Sequence, residues 1–476
     1  MSIQNDFLTS ALTDFNPFIS TSQIIDWVKK RNNAISVTVK KISFSKLEKW
    51  SFDENRGLIK HISGKFFTIE GIHVKTNWGK VKEWEQPIIN QPEIGYLGII
   101  TKKFNGILYF LLQAKVEPGN VNNVQLSPTL QATRSNYSQV HQGKKPLYLE
   151  YFQNTKKDQI LLDQLQSEQG ARFLKKRNRN IIIIVNEDIP VYEDFIWVTL
   201  GQIKKLILHN NLVNMDTRTV ISGIPFGSDI IINVPTYLQD KLLVNSFENR
   251  MLLSAFDNNS SLNTFDEILN WLTALKCRYE LEISPVSLFD IKDWIISDEC
   301  IYHKNNNYFK VIAAKIEISN REVQSWTQLL VEPLQEGLIA FIVKKINNIS
   351  HFLVQAKLEC GNFDILEIAP TVQCLTGSYV NSIDLPFLTD VLRAKPDHIR
   401  FDTLQSEEGG RFFREQNRNI IIEVDDNFPL EVPENYIWVT LNQLNTFLKF
   451  NNYLNIQARS LLSSINFINI KHENSI

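Results

Sequence analysis

Apolar and polar positions follow the same order twice along the chain, and each time the order begins with a helix signal. Ser20 and Gln23 precede an apolar stripe of helical spacing, and Thr264 and Glu267 precede a second stripe of the same kind. Ser or Thr followed three residues later by Gln or Glu forms a capping box, which satisfies backbone donors at a helix N-terminus. The pattern therefore predicts a helix at the start of each of two repeats.

Apolar runs further along each repeat predict strands. Residues 107–117 and 349–359 end in an alternation of apolar and polar side chains, which is typical of a half-buried strand. Residues 181–185 and 420–424 are short runs of β-branched side chains, and we interpret them as strands as well.

Two further helices are expected in each repeat. One is predicted to span residues 161–177, with a twin over residues 402–416, and another amphipathic helix follows each Trp-Val-Thr-Leu motif. Helices and strands succeed each other without a regular strand–helix–strand rhythm. This order favours an α+β fold with mixed sheets.

Identical side chains indicate that the two repeats arose by tandem duplication. Residues 113–120 return as residues 355–362 with six of eight positions identical, and eight of the nine tryptophans pair between the repeats. A chain of 476 residues is also long for one hydrophobic core. We therefore expect two domains, residues 1–221 and 261–476, joined by a linker over residues 222–260.

The overall charge argues against several classes of protein. The 50 basic and 52 acidic side chains leave a net charge of −2, which gives no support to a polyanion-binding protein. The chain contains no run of 18 or more apolar residues, so no transmembrane helix is expected. The N-terminal residues lack the pattern of a signal peptide. A cytoplasmic protein is expected.

Cysteine and histidine spacing agrees with this expectation. Cys277, Cys300, Cys360 and Cys374 all lie in the second repeat and form no CxxC pair. Because disulfides that held the architecture would be expected in both repeats, we predict free thiols in a reducing compartment. The eight histidines show no HxxxH spacing, so no zinc site is expected.

One strand carries polar side chains that could perform chemistry. Alternate residues of a strand share a face, so Gln113, Lys115 and Glu117 project together. The same three residue types recur at the twin positions, Gln355, Lys357 and Glu359. The stripe is either a solvated sheet face or the lining of a cavity with an amide, a cation and a carboxylate. Its retention in both repeats weakens the solvated-face interpretation.

The predicted helix over residues 161–177 places Glu168 and Arg172 four residues apart, and Glu407 and Arg411 match them. An ordinary helix ion pair would contribute only about 0.3–0.5 kcal/mol. Gly170 goes against that interpretation, because glycine within a helix costs about 1 kcal/mol relative to alanine. Something is expected to pack closely against this glycine.

A polar loop follows the strands of the first repeat. Arg134 and Lys144 could hold a diphosphate, because guanidinium and ammonium groups suit that anion. The alternative is a basic surface loop. The second repeat keeps a tyrosine, Tyr379 for Tyr137, but lacks the arginine, which indicates that the two repeats have diverged in task.

Motifs that would place the chain in common enzyme classes are absent, since it contains no GxGxxG, Walker, GxSxG or HExxH sequence.

Longer stretches resemble the family of NDP-hexose 2,3-dehydratases. These stretches are residues 113–120, 127–137, 149–152, 166–173 and 406–412. The resemblance implies a homodimer in which each repeat has a Nudix-like scaffold. The glutamate-rich REUxEE helix of Nudix hydrolases is absent, which argues against metal-dependent diphosphate cleavage.

The resemblance also implies a reaction. The substrate would be a dTDP-linked 4-keto-6-deoxyhexose, dTDP-4-keto-6-deoxyglucose, in which the C4 ketone acidifies the C3 proton and the C2 hydroxyl lies β to the ketone. Elimination needs a base at C3, a donor to the C4 oxygen and an acid at the C2 oxygen, and no redox or metal cofactor. The product, a 3,4-diketo-2,6-dideoxy sugar, would pass to an NADPH-dependent 3-ketoreductase.

Site residues follow from this likeness and from the strand geometry. Glu117 or His141 is expected to be the base, Tyr137 or Lys115 the donor, and Arg134 and Arg172 are expected to hold the diphosphate. The remaining expected substrate contacts are Gln113, Ser135, Asn136, Glu168, Lys357, Glu359, Gln373, Tyr379, Glu407 and Arg411. Which repeat is catalytic stays open. A non-catalytic nucleotide-sugar-binding protein and a Nudix-type diphosphatase are the alternatives.

Overall fold

The computed structural model describes residues 3–133, 145–226, 246–257, 259–320, 323–375 and 385–468. The helices of these ranges are α1 (Ile3–Ala11), α2 (Thr21–Ala34), α3 (Leu149–Gln153), α4 (Leu200–Leu206), α5 (Met215–Ser222), α6 (Phe247–Phe256), α7 (Phe265–Arg278), α8 (Leu388–Leu392), α9 (Leu441–Phe447) and α10 (Ile456–Leu462).

Of the described strands, thirteen belong to the first repeat and twelve to the second. Those of the first repeat are β1 (Val37–Ile42), β2 (Trp50–Asp53), β3 (Leu58–His61), β4 (Thr68–Thr76), β5 (Glu83–Asn90), β6 (Gly95–Phe104), β7 (Ile107–Val116), β8 (Val124–Ser127), β9 (Leu130–Ala132), β10 (Ile160–Ser167), β11 (Phe173–Leu174), β12 (Arg177–Ile184) and β13 (Phe195–Thr199). Those of the second are β14 (Leu281–Val286), β15 (Trp294–Ile296), β16 (Cys300–His303), β17 (Phe309–Ile318), β18 (Ser325–Pro333), β19 (Gly337–Ile346), β20 (Ile349–Lys357), β21 (Glu367–Pro370), β22 (Val372–Leu375), β23 (Ile399–Ser406), β24 (Gln416–Val424) and β25 (Tyr436–Thr440).

Each repeat builds one large mixed sheet with the same strand order. The first sheet runs β10-β12-β6-β7-β13, with β8 beside β7 and β9 beside β6. The second runs β23-β24-β19-β20-β25, with β21 beside β20 and β22 beside β19. In both sheets one central pair is parallel, β12 with β6 and β24 with β19, and the neighbouring pairs are antiparallel. The duplication expected from the sequence is therefore present in the topology.

The two smaller sheets contain strands from both repeats. Strand β1 of the first repeat pairs antiparallel with β17 of the second. In return, β14 of the second repeat pairs antiparallel with β4 of the first. Each smaller sheet is completed by a strand that follows the opening helix of the other repeat, so the repeats are joined by backbone hydrogen bonds as well as by side-chain packing.

Several predicted elements are confirmed. Helices α2 and α7 begin with the expected capping boxes at Ser20 and Thr264. Helices α4 and α9 follow the Trp-Val-Thr-Leu motifs. The apolar runs form β7 and β20, and the β-branched runs lie in β12 and β24. The expected linker segment contains the helix α6.

The helix predicted over residues 161–177 is wrong, and so is its twin. The chain instead forms β10, a turn, β11 and the start of β12, and the second repeat forms β23 and then β24. The antiparallel ladder between β10 and β12 accounts for this difference, because it supplies the backbone partners that a helix would have supplied locally. Arg179 also forms an ion pair with Asp163 across that ladder, with Nε to Oδ1 at 2.8 Å.

Two buried arginines connect the repeats at their centre. Arg218 of α5 donates to Oε1 of Gln405 at 2.9 Å and to the carbonyl oxygen of Ser406. Its twin, Arg459 of α10, donates to the carbonyl oxygen of Ser167 in the first repeat. Both arginines are 1% exposed, so these contacts lie inside the shared core. The largest apolar cluster also contains residues of both large sheets.

The sequence also led to expectations about the cysteines and about membrane-spanning helices. The four cysteines are free thiols, as predicted from their spacing. Among the described helices, none has the length and apolar character needed to cross a membrane.

Candidate active site

Polar side chains gather at two equivalent places, where the end of a strand of one repeat meets a loop of the other. We call them the first and second clusters. The first cluster comprises Lys115, Glu117, Gln131, Glu168, Lys176 and Asp216 of the first repeat with Glu408 and Arg411 of the second. The second comprises Lys357, Glu359, Gln373, Glu407, Glu415 and Gln457 of the second repeat with Gln169 and Arg172 of the first.

The strand β7 delivers the predicted polar stripe to the first cluster. Gln113 and Lys115 are half-buried, and Glu117 is 7% exposed. Lys115 Nζ donates to Oε1 of Gln131 at 2.7 Å, so the lysine is held by a side chain of strand β9. These side chains do not form a solvated sheet face, which was the alternative interpretation of the sequence.

Gln131 joins Glu117 to Asp216, a carboxyl group that the sequence analysis missed. The Gln131 Nε2 group donates to Glu117 Oε1 at 3.4 Å and also to Asp216 Oδ2. Asp216 lies in the first turn of α5 and is 4% exposed. Burial, followed by the negative charges of Glu117 and Glu408, raises the pKa of Asp216 well above its ordinary value. This carboxyl group therefore holds a proton more firmly than an exposed aspartate.

A loop of the second repeat closes the first cluster from the other side. The backbone N–H of Gly119 donates to the carbonyl oxygen of Gly409 at 2.7 Å, and Arg414 N–H donates to the carbonyl oxygen of Gly119 at 2.7 Å. A Cβ atom on Gly119 would lie 1.6 Å from the carbonyl oxygen of Phe412. Only glycine allows the two backbones to approach this closely.

This loop brings Glu408 to the first cluster, which the sequence analysis also missed. Burial raises the pKa of Glu408 to about 7, Arg411 opposes that rise, and Glu117 adds to it. Glu168 sits beside them and accepts a hydrogen bond from Asn178 Nδ2 at 2.6 Å. Burial raises the pKa of Glu168 as well.

The second cluster keeps the strand residues but replaces key carboxyl groups with amides. Gln373 Nε2 donates to Glu359 Oε1 at 2.8 Å, as its twin does in the first cluster. The position of Asp216 is taken by Gln457, and the position of Glu408 is taken by Gln169. Both amides donate to the carboxylate of Glu407, Gln457 over 3.2 Å.

The two clusters therefore differ in how their acids titrate. Burial, followed by the negative charge of Glu415, raises the pKa of Glu407 to about 8. In the first cluster the counterpart of Glu407 is Glu168, and the additional carboxyl groups of Asp216 and Glu408 both lie near Glu117 and Glu168. An alignment of the two repeats could have shown that Asp216 and Glu408 are replaced by glutamines in the other repeat. It could not have shown that Asp216 and Glu408 lie in the same cluster.

The segments that contain Glu168 with Arg172 and Glu407 with Arg411 are not helical, so the ordinary helix ion pair, against which Gly170 argued, is not formed. The guanidinium of Arg172 lies over the ring of Phe309, 4.2 Å from its centroid. The guanidinium of Arg411 lies 4.2 Å from the centroid of Phe67. Arg411 of the second repeat lies near Glu408 and belongs to the first cluster. Arg172 of the first repeat lies near Glu415 and belongs to the second cluster.

The expectation that Gly170 is closely packed is confirmed. A Cβ atom there would lie 1.9 Å from Oδ1 of Asn362. The carbonyl oxygen of Gly170 accepts a hydrogen bond from Gly361 N–H at 2.6 Å. Gly170 thus lies in the turn that enters the second cluster, not within a helix.

Several predicted site residues lie outside the described residues. These are Arg134, Ser135, Asn136, Tyr137, His141 and Lys144 of the first repeat and Tyr379 of the second. Within the described part of the chain, no group of three or more His, Cys, Asp or Glu side chains is arranged to hold a metal ion.

Comparison with known proteins places this arrangement in a family. The family model for NDP-hexose 2,3-dehydratase matches residues 21–224 and again residues 265–465. The chain is 44% identical over 467 residues to the dTDP-4-dehydro-6-deoxy-alpha-D-glucopyranose 2,3-dehydratase of Saccharopolyspora spinosa, covering 96% of this chain and 94% of that protein.

Two further relatives carry the same name. The protein of Amycolatopsis orientalis is 39% identical, with 96% of this chain and 93% of the relative covered. The protein of Streptomyces violaceoruber is also 39% identical, with 92% of this chain and 95% of the relative covered. The family model matches both repeats, and each match ends within or just after α5 or its twin α10. The chain therefore belongs to the NDP-hexose 2,3-dehydratase family.

Proposed function

We propose that this protein removes water across C2 and C3 of dTDP-4-keto-6-deoxyglucose and yields a dTDP-3,4-diketo-2,6-dideoxyhexose. The relatives are named for this substrate and this reaction. One structural observation supports the proposal most directly. Glu117 is 7% exposed, and its Oε2 atom has no hydrogen-bond partner among the described residues. A buried carboxylate oxygen without a partner is costly unless a ligand uses it.

Glu117 and Lys115 have the chemistry that the first step needs. Glu117 accepts the C3 proton, and the ammonium group of Lys115 donates to the C4 oxygen as negative charge develops there. Gln131 fixes the two side chains relative to each other, because it accepts from Lys115 at 2.7 Å and donates to Glu117 at 3.4 Å. His141 as the base and Tyr137 as the donor remain the alternatives.

The diphosphate of the substrate needs cationic partners near the first cluster. We propose Arg411 and Arg134 for this role. Arg411 replaces the earlier expectation of Arg172, because its guanidinium faces the first cluster while Arg172 faces the second. An Arg guanidinium suits a diphosphate because its donors lie in one plane.

Wider features of the protein follow as proposals. Each repeat is proposed to be a Nudix-like scaffold, and the protein is proposed to be a cytoplasmic homodimer, which light scattering would test. The product has two adjacent ketones and is labile. We therefore propose that an NADPH-dependent 3-ketoreductase consumes it.

Incubation of the purified protein with dTDP-4-keto-6-deoxyglucose tests the reaction. Dehydration releases a diketo sugar, which an added 3-ketoreductase with NADPH traps as a stable 2,6-dideoxy sugar. A Nudix-type diphosphatase would instead release dTMP and require Mg²⁺. A binding protein would show a thermal shift with the substrate unchanged. Either of the last two outcomes would refute the proposal.

A further inference from the structure

Two carboxyl groups from different repeats face each other in the first cluster. Glu117 lies just beyond the end of β7, and Glu408 lies in the loop of the second repeat that Gly119 holds in place. A Cβ atom built on Gly410 would lie 2.3 Å from Oε1 of Glu408 and 3.8 Å from Oε1 of Glu117. Both oxygen atoms are therefore within 4 Å of one point.

Exposure differs between the two carboxyl groups. Glu117 is more than nine-tenths buried and has an oxygen atom without a partner among the described residues. Glu408 is half-buried. The unpartnered oxygen marks a position where a ligand can contact the cluster, and Glu408 is close enough to reach the same ligand.

We propose that Glu408 is the general acid that protonates the departing C2 hydroxyl, opposite Glu117 as the base. This proposal rests on the proposed dehydration. Glu117 takes the C3 proton, and the electron pair of the C3–H bond forms the enolate across C3 and C4. That pair then forms the C2–C3 double bond, the C2–O bond breaks, and the oxygen leaves as water with the proton of Glu408. Glu117 ends protonated and Glu408 ends ionised.

The charges around Glu408 suit a proton donor. Negative charge comes from Glu117 and Glu168, and positive charge comes from Arg411 and Lys176. Burial and the neighbouring carboxylates raise the pKa of Glu408 to about 7. A carboxyl group with this pKa keeps its proton near neutral pH and can still release it.

The second cluster lacks this pair. Gln169 takes the position of Glu408, and its amide cannot supply an acidic proton. Gln169 instead donates to Glu407. The proposal therefore assigns the complete acid–base pair to the first cluster, although one of its two members belongs to the second repeat.

The test uses Glu408→Gln, which introduces the residue that the second cluster carries at the same position. In D₂O the variant should still exchange the C3 proton of the substrate, because Glu117 and Lys115 remain. Dehydration should fall by about 10²–10⁴-fold, as expected for loss of a general acid. NMR of the recovered substrate measures exchange, and the reductase trap measures dehydration.

Three further variants serve as controls for this experiment. Glu117→Gln should lose both exchange and dehydration, and Glu408→Asp should recover part of the dehydration rate. Glu54 is an exposed carboxylate that is distant in sequence from Glu117 and Glu408, so Glu54→Gln should behave as the wild type. A Glu408→Gln variant of normal melting temperature that dehydrates at the wild-type rate, or that loses exchange and dehydration equally, overturns the assignment. Wild-type protein without exchange or dehydration refutes the proposed function itself.

Discussion

The backbone N–H of Gly119 donates to the carbonyl oxygen of Gly409 at 2.7 Å. The equivalent pair is Gly361 and Gly170, at 2.6 Å. Each repeat thus holds a loop of the other against the end of its own polar strand. Neither repeat by itself contains all the side chains of its cluster, so duplication produced two interdependent sites instead of two independent ones.

Gly119→Ala should abolish dehydration and destabilise the protein. The added Cβ would lie 1.6 Å from the carbonyl oxygen of Phe412, so the loop that carries Glu408 must move away. We expect a loss of at least about 2 kcal/mol in unfolding free energy, comparable to overpacking a core. Activity assays and thermal melting measure the two effects.

Gly361→Ala is the matched control, because its Cβ would lie 1.8 Å from the carbonyl oxygen of Phe173. It should destabilise the protein to a similar extent but disturb the second cluster. Equal activity losses in the two variants at temperatures where both are folded would contradict the assignment of chemistry to the first cluster.

Glu117→Gln should lower turnover by at least about tenfold, since an amide cannot accept the C3 proton. The same substitution in the second repeat, Glu359→Gln, leaves Gln131 and Glu117 untouched and should cost much less. Tyr137→Phe and Tyr379→Phe form a second matched pair for the donor role. The second repeat would be the catalytic one if Glu359→Gln and Tyr379→Phe were inactive. In that case Glu117→Gln and Tyr137→Phe would remain active.

The local patterns of the sequence predicted much of the fold. The alternation that ends at Glu117 predicts β7, because period-two spacing has one structural meaning. The capping box at Ser20 predicts α2 because its hydrogen bonds are made within one turn. The repetition of the polar stripe in both copies is visible without a structure and argued against a solvated sheet face, and Lys115 is half-buried and Glu117 buried.

Long-range pairing explains what the sequence analysis did not find. Glu168 and Arg172 have helical spacing, but β10 is fixed by its ladder with β12, and the glycine between the two residues was the signal against a helix. Asp216 and Glu408 reach Glu117 only through the fold. The exchange of β1 and β14 between repeats likewise depends on partners that no local pattern specifies.

Arg218→Met should destabilise the junction between the repeats. The guanidinium donates to Gln405 Oε1 at 2.9 Å and to the carbonyl oxygen of Ser406, and the substitution leaves both buried acceptors without it. Each such acceptor costs about 1–3 kcal/mol. Urea denaturation should show this loss, and Arg218→Lys should recover only part of it, because an ammonium group cannot reproduce the planar fork. An unchanged midpoint in Arg218→Met would refute this role.

A buried carboxyl group near the second cluster should make stability depend on pH. Glu367 is fully buried, and its Oε2 accepts from Ser167 Oγ at 3.0 Å. Burial raises its pKa from 4.5 to about 7, while Arg459 opposes the rise. At pH 4 the group is protonated in both folded and unfolded chains. As the pH rises from 4.5 to 7, only the unfolded chain loses the proton freely, so the folded state loses stability.

Glu367→Gln should therefore raise the melting temperature more at pH 8 than at pH 5. The raised pKa corresponds to about 1–3 kcal/mol of destabilisation above pH 7, which the uncharged amide removes. The first repeat already carries the amide at this position, where Gln125 Oε1 accepts from Ser406 Oγ at 2.9 Å. The reciprocal variant, Gln125→Glu, should lower the melting temperature at pH 8 and much less at pH 5. Equal shifts at both pH values would show that packing, and not the proton, controls the effect.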